Sequence, residues 1–184
     1  MQRPASPQPA VAPVLPARRG WAARLLLWGG VALLAGCGFA LRAPPEFAFS
    51  SLYAAVPPTS PLGLELRRQL GAAGSVTLIT DAAAQKEAQV ILDFLGEQRE
   101  KAVVGVSATG QVRELQLRLR LSFRLRTPQG KELIPATELL LQRTQSYDEA
   151  FALAKEAEEQ LLYRNMQSDM VQLIMRRLAA VKSL

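Results

Sequence analysis

The most regular pattern in the chain is an alternation of apolar and polar residues from position 115 to position 126. The apolar positions are Leu115, Leu117, Leu119, Leu121, Phe123 and Leu125. Between and after them stand Gln116, Arg118, Arg120, Ser122, Arg124 and Arg126. A period of two predicts a β-strand with one buried and one wet face, because a helix would scatter these leucines around its circumference.

Segments on both sides of this strand are predicted to pair with it. Residues 90–101 form an apolar-rich strand with a bulge expected at Gly96, and residues 103–110 read as a hairpin loop. After a turn at 128–130, residues 132–146 predict an antiparallel strand with Leu139 and Leu141 facing inward. Because Pro135 has no N–H to donate, we expect this strand to be bulged or at a sheet edge.

Helical periodicity is found before and after these strands. A strand at 47–56 is followed by leucines at 62, 66 and 70, which predict a short amphipathic helix capped by Thr59 or Ser60 and ended by Gly71 and Gly74. Residues 76–79 are predicted to be a strand end, and residues 81–87 a loop or turn. Ser146 and Glu149 have the spacing of a capping box, which predicts a long helix reaching about Ala180.

The apolar stripe predicted on the long helix consists of Ala154, Ala157, Leu161, Leu162, Met166, Met170, Leu173, Ile174 and Leu178. A helix of this length must lie across a sheet to bury such a stripe. The predicted fold class is therefore α+β, with two helices packed on one face of a four-stranded, largely antiparallel sheet.

The first 46 residues have a different organisation. A Pro/Ala-rich stretch (1–17) and three arginines (18, 19 and 24) precede an apolar run at 25–35, which ends in Leu34-Ala35-Gly36-Cys37. This order predicts a signal peptide at 1–36, a lipidated tether at 37–46 and a single domain at 47–184. The last four residues resemble the bacterial lipobox, which implies lipid attachment to Cys37. The alternative is an ordinary signal or anchor helix in which Cys37 is incidental.

Composition narrows the range of functions. The formal net charge is +6, but residues 1–36 contain four arginines and no acidic residue, so the mature part is near neutral and argues against nucleic-acid binding. With no histidine and one cysteine, the chain has no intrachain disulfide, Cys/His zinc site or His-dependent catalytic triad. The spacing of carboxylates such as Glu114 and Glu138 demands no acid/base pair. We therefore expect neither an enzyme nor a bound metal or cofactor.

Short segments in the mature part match one family in their order along the chain. They are Cys37-Gly38-Phe39-Ala40-Leu41-Arg42, Pro61-Leu62 with Arg67-Arg68-Gln69-Leu70, Gly110 with Glu114-Leu115-Gln116-Leu117, Ala152-Leu153-Ala154-Lys155 with Glu158-Glu159-Gln160, and Leu173-Ile174-Met175-Arg176-Arg177-Leu178. Together with the lipobox they resemble the LptE family of lipopolysaccharide-assembly lipoproteins.

This resemblance implies two helices against a four-stranded sheet and a partner, the outer-membrane β-barrel LptD, in which family members sit as a plug. The pair places lipopolysaccharide in the outer leaflet, and the family is thought to bind it through basic residues. Gly38, in place of the Asp that retains enterobacterial lipoproteins at the inner membrane, favours the outer membrane. A stand-alone, periplasm-facing lipoprotein that binds lipid or glycan without a barrel is the alternative.

Six basic residues are candidates for binding lipopolysaccharide. Arg118, Arg120, Arg124 and Arg126 share one face of the alternating strand, where they could grip phosphates, face solvent or contact the barrel lumen. Lys155 matches a family element in which a lysine is implicated in ligand binding, although it could instead pair with Glu159 at i+4. The family carries an arginine in the loop before the Gly110 turn, but this chain has Ser107-Ala108-Thr109 there, and Arg113 is the nearest basic residue.

Overall fold

The computed structural model describes residues 45–184, so the predicted signal peptide, Cys37 and most of the predicted tether lie outside the described residues. The elements in chain order are β1 (Ser51–Ala55), α1 (Pro61–Ala73), β2 (Thr77–Ile79), β3 (Val90–Val106), β4 (Val112–Arg126), β5 (Glu132–Ser146) and α2 (Ala152–Ala179). Short 3-10 helices span Ala83–Glu87 and Glu149–Phe151. Within the described residues, no helix is both long and apolar enough to cross a membrane.

The alternating segment is β4, and its two faces differ as predicted. All six apolar side chains are buried, and five of them have no exposed surface. The polar side chains from Gln116 to Arg126 are only partly covered. β3 and β5 flank β4 as antiparallel neighbours, which sets Leu119 opposite both Arg99 and Leu141. The buried leucines of α1 and the buried apolar residues of α2 belong to the same apolar core as Leu117, Leu119 and Leu121 of β4.

The sheet has five strands rather than the predicted four, in the order β2-β1-β3-β4-β5. It is mixed, because β1 is parallel to both of its neighbours, β2 and β3. The three-residue strand β2 is the segment predicted only as a strand end. A helix that connects two adjacent strands returns the chain in the original direction, so α1 makes β2 parallel to β1.

The predicted boundaries of α1 are confirmed at its start and corrected at its end. Ser60 caps the helix, and its hydroxyl oxygen accepts a hydrogen bond from the Gly63 N–H at 2.8 Å. The helix continues through Gly71 and ends at Gly74, whose φ of 67° is the left-handed conformation that glycine adopts without steric cost.

The start and the early apolar stripe of α2 differ from the prediction. Ser146 is the last residue of β5, and Asp148 caps the 3-10 helix Glu149–Phe151, its carboxylate accepting from the Ala150 N–H at 3.0 Å. The N-cap residue of α2 is Phe151, whose side chain makes no capping hydrogen bond. The capping-box prediction is therefore wrong. Ala154, Ala157 and Leu161 are exposed.

The sheet-facing side of the first turns of α2 instead carries Lys155 and Glu159, and the buried stripe begins only at Tyr163. From there Met166, Met170, Ile174 and Leu178 are buried as predicted. The contact between α2 and the sheet is thus apolar over the later turns and polar over the first ones.

The two hairpins follow the predicted pairing, with β3 longer than expected. The register of β3 against β4 shifts between Phe94 and Gly96, which confirms the bulge. β3 extends to Val106, and the turn that follows contains Gly110 with a φ of 80°. β5 is an edge strand, as Pro135 indicated; Leu139 is buried and Leu141 is partly buried.

Replacing Phe123 with alanine tests the buried face of β4. Phe123 has no exposed surface, so Phe123→Ala should lower the free energy of unfolding by about 3–5 kcal/mol. The neighbouring Ser122→Ala, on the other face, should change it by less than about 0.5 kcal/mol. Urea denaturation followed by circular dichroism measures both. Equal losses would contradict the assignment of the two faces.

Candidate functional site

The four candidate arginines of β4 lie together on the sheet face opposite the helices. Arg124 and Arg126 both bind Asp93 of β3, with their Nε atoms 2.8 and 2.7 Å from its Oδ2. The Asp93 side chain is 13% exposed, so this group is largely withdrawn from water. Burial would raise the pKa of Asp93, but hydrogen bonds from Arg126 and Arg124 and their positive charges together hold it below its ordinary value.

The other two arginines are paired as well. Arg120 Nη1 lies 2.6 Å from Glu138 Oε1 on β5 and its Nε lies 3.9 Å from Glu100 Oε1 on β3. Arg118 Nη1 lies 3.8 Å from Glu100 Oε2, and Arg118 Nε donates to Gln116 Oε1 at 2.8 Å. Every arginine of the row therefore has a carboxylate within 4.0 Å. We call this surface the arginine face; a phosphate ligand there would have to displace an existing partner.

Lys155 and Arg113 lie at the other candidate position, where β4 begins and β5 ends. The Lys155 ammonium donates to Ser146 Oγ at 3.1 Å and to Glu158 Oε2 at 2.9 Å. The hydrogen bond from Lys155 lowers the pKa of Glu158. Gln145 Nε2 donates to the Lys155 backbone carbonyl at 2.8 Å, which fixes the first turn of α2 over β5.

Arg113 is joined to the same region through the backbone. The Tyr147 N–H donates to the Arg113 carbonyl at 2.8 Å, so Arg113 is adjacent to the chain that leaves β5 for α2. Its guanidinium donates to Gln111 Oε1 at 3.0 Å. Among residues 45–184 no carboxylate lies within 4.0 Å of it. Arg113 is the candidate whose charge is most available to a ligand.

Exposed apolar side chains lie on the segments that meet at this end of the sheet. They are Val103, Val104 and Val106 at the end of β3, with exposed fractions of 48–61%, and Phe151 and Leu153 at the start of α2, with 63% and 84%. We call these residues, together with Arg113 and Lys155, the hairpin end. Exposed apolar surface that forms a large patch marks interaction sites on proteins.

A polar cluster lies between the helices and β3, and it was not predicted from the sequence. The Ser60 hydroxyl donates to the Glu97 carboxylate, and the Arg99 guanidinium stacks over the Tyr163 ring at 5.2 Å. With its side-chain amide oriented to satisfy its neighbours, Gln167 accepts from Arg99 Nη2 at 3.1 Å. The available signal was the charged residues at 97, 99 and 101, which occupy alternate positions of β3 on the helix side.

This cluster borders an open pocket of about 380 Å³ lined by Pro57, Thr59, Ser60, Pro61, Glu97 and Arg99. The described part of the chain contains no group of His, Cys, Asp and Glu side chains suited to hold a metal ion.

These features define an α+β domain in which two helices cover one sheet face and charged and apolar groups remain on the surface. The sequence profile described as LptE, lipopolysaccharide-assembly, matches residues 49–178. An LPS-assembly lipoprotein LptE from Yersinia enterocolitica is 31% identical over 161 residues, covering 85% of this chain and 75% of that protein. One from Yersinia pestis is 31% identical over 160 residues, with the same coverage.

Solved structures show the same fold. The solution structure of an uncharacterized lipoprotein B from Nitrosomonas europaea is 33% identical with a TM-score of 0.66, covering 78% of this chain and 91% of that one. The rare lipoprotein B from Shewanella oneidensis, at 22% identity and a TM-score of 0.61, covers 71% and 95%. The chain belongs to the LptE family of lipopolysaccharide-assembly lipoproteins.

Asp93→Asn tests whether the ion pairs of the arginine face stabilise the fold. Because the folded pKa of Asp93 is lowered, its contribution is fully present above the unfolded pKa and is lost as pH falls through the folded pKa. The variant should lose about 1–3 kcal/mol of unfolding free energy at pH 7, and this difference should shrink below about pH 4.

Glu138→Gln is the matched control, because the Glu138 side chain is 49% exposed and surface pairs contribute about 1 kcal/mol or less. Urea denaturation from pH 2.5 to pH 7 measures both variants. A constant difference between wild type and Asp93→Asn across this range would contradict the role given to the Asp93 carboxylate.

Proposed function

We propose that this protein is anchored to the outer membrane by lipid on Cys37, sits as a plug in an LptD-like β-barrel and assists insertion of lipopolysaccharide into the outer leaflet. Membership of the LptE family supports the assembly role. The proposal that the protein binds lipopolysaccharide is supported by the composition of the hairpin end. It combines the guanidinium of Arg113 and the ammonium of Lys155 with five exposed apolar side chains.

The chemistry of the hairpin end matches that of lipopolysaccharide. Lipid A is an anionic amphiphile, so its binding site needs cations beside apolar surface. Arginine binds phosphate in a bidentate manner, and Arg113 has no ion-pair partner to give up among the described residues. Lys155 would exchange its exposed contact with Glu158 for a phosphate. Binding there costs less than binding at the arginine face.

The arginine face fits a different role in the proposed complex. It is an uncovered sheet surface whose four arginines are matched by Asp93, Glu100 and Glu138. The lumen of an outer-membrane barrel is polar. A surface of internally satisfied ion pairs can pack against such a wall without leaving an unpaired charge, so we assign the arginine face to barrel contact.

The anchor is the remaining part of the proposal. One acyl chain gives marginal membrane binding, and two or more give stable attachment. A tether of residues 37–46 reaches at most roughly 35 Å when extended. The proposed domain is therefore held close to the membrane in which its barrel partner resides.

Lipopolysaccharide binding by purified variants tests the ligand site. Arg113→Gln with Lys155→Gln should weaken binding at least tenfold, since a charge-assisted hydrogen bond contributes about 1.5–3 kcal/mol. Arg118→Gln with Arg120→Gln removes the same charge from the arginine face and should change binding less than twofold. The reverse ranking of the two double variants would assign the ligand to the arginine face.

Co-purification tests the plug. The full chain carrying a C-terminal tag, extracted from its own cells in mild detergent, should bring down a large β-barrel in equimolar amount. Recovery of lipopolysaccharide with no barrel would contradict the plug and favour the stand-alone lipoprotein.

A further inference from the structure

The fold leaves one edge of its longest strand open. β1 pairs with β3 only from Val90 to Asp93, and among residues 45–184 no strand lies on that side of β3 beyond this point. From Gly96 to Val103 the register of β3 against β4 is regular on the other side. These eight residues, which we call the open edge, extend over about 26 Å at 3.3 Å per residue.

The chain itself prevents β1 from covering the open edge. β1 ends at Ala55, and Pro57 and Pro58 follow after Val56; a proline has no N–H with which to continue the pairing. The chain then turns into α1 at Pro61. The backbone of the open edge accepts a hydrogen bond from α2: the Tyr163 hydroxyl donates to the Glu100 carbonyl at 2.7 Å.

Natural sheets protect such edges with charges that repel a further strand. The four charged side chains of the open edge are instead held by groups within the fold. Glu97 accepts from Ser60, Arg99 stacks on Tyr163, Glu100 pairs with Arg118 and Arg120, and Lys101 Nζ lies 2.9 Å from Glu159 Oε2. Two of these side chains are negative and two are positive, so the open edge carries no net charge that would repel a further strand.

We propose that the open edge of β3 receives an extended segment of the barrel polypeptide, which adds to the sheet as a sixth strand. A row of N–H and C=O groups at strand spacing is complementary to another strand backbone. Because the charges along the edge are already compensated, the segment that fits is uncharged. This inference rests on the proposed function, which supplies the barrel.

A second copy of this chain is the competing occupant, and the charges disfavour it. A two-fold axis through residue 99, 100 or 101 would set that charged side chain opposite its own copy, which is destabilising. Free chain that is dimeric by light scattering, with slow amide exchange at the open edge, would overturn the proposal.

Hydrogen–deuterium exchange tests the strand pairing without a substitution. In the free protein, the open-edge amides that do not bond to β4 should exchange fast. In the purified barrel complex these amides should exchange at least tenfold more slowly, while the outward amides of β5, the other sheet edge, serve as the matched reference. Unchanged exchange at 96–103 in an intact complex overturns strand addition and leaves the plug standing. A chain that co-purifies no barrel overturns both.

A pair of variants provides a second measurement. Ala102 lies within the open edge and is partly exposed, and Leu64 on α1 is 54% exposed. Ala102→Lys should reduce recovery of the barrel at least tenfold, because it places an unmatched charge against the added strand. Leu64→Lys should reduce it less than twofold. Equal reductions would contradict an interface at the open edge.

Discussion

The structure depends on the alternation of side chains along β4. This single strand contributes six buried apolar side chains to the core on one face and four arginines on the other. A slip of one residue against β3 would bury those arginines, so the register is fixed by the large cost of burying charge. Once β4 is fixed, the carboxylates of β3 and β5 fall beside its arginines and the helices must cover its leucines.

The sheet is longer than the apolar cover that the helices provide. From Tyr163 to the end of α2, methionines and aliphatic residues make the contact with the sheet. In the turns before Tyr163 the contacts are polar, such as Lys101 with Glu159 and Gln145 with the Lys155 carbonyl. The same excess length leaves apolar side chains at the end of β3 without cover. The backbone of the open edge is left unpaired for a different reason, which is the short pairing of β1 with β3.

The local periodicity of the sequence was sufficient to predict the hairpins, both helices and the class of fold. The parallel pairing of β1 was missed because β2 has three residues and its place depends on the crossover through α1. The early stripe of α2 was wrong because the Ala154 and Leu161 positions are small or apolar but lie on the side away from the sheet.

The candidate basic residues were predicted from the sequence, but the residues that pair with them were not. The arginine row followed from the period of two, but its partners Asp93 and Glu138 lie on other strands and depend on the register of each hairpin. The proximity of Arg113 and Lys155 likewise required the backbone bond between Tyr147 and Arg113. Membership of the family was indicated by the order of short motifs, and the match over residues 49–178 confirms it.

We propose that lipopolysaccharide contacts the hairpin end and that the barrel contacts the arginine face. Photocrosslinking in living cells tests it most directly, with benzoylphenylalanine placed at Val106 in one strain and at Gln142, beside the arginine face, in another. The account predicts adducts with lipopolysaccharide from position 106 and adducts with the barrel from position 142. Lipopolysaccharide adducts from position 142 alone would contradict it.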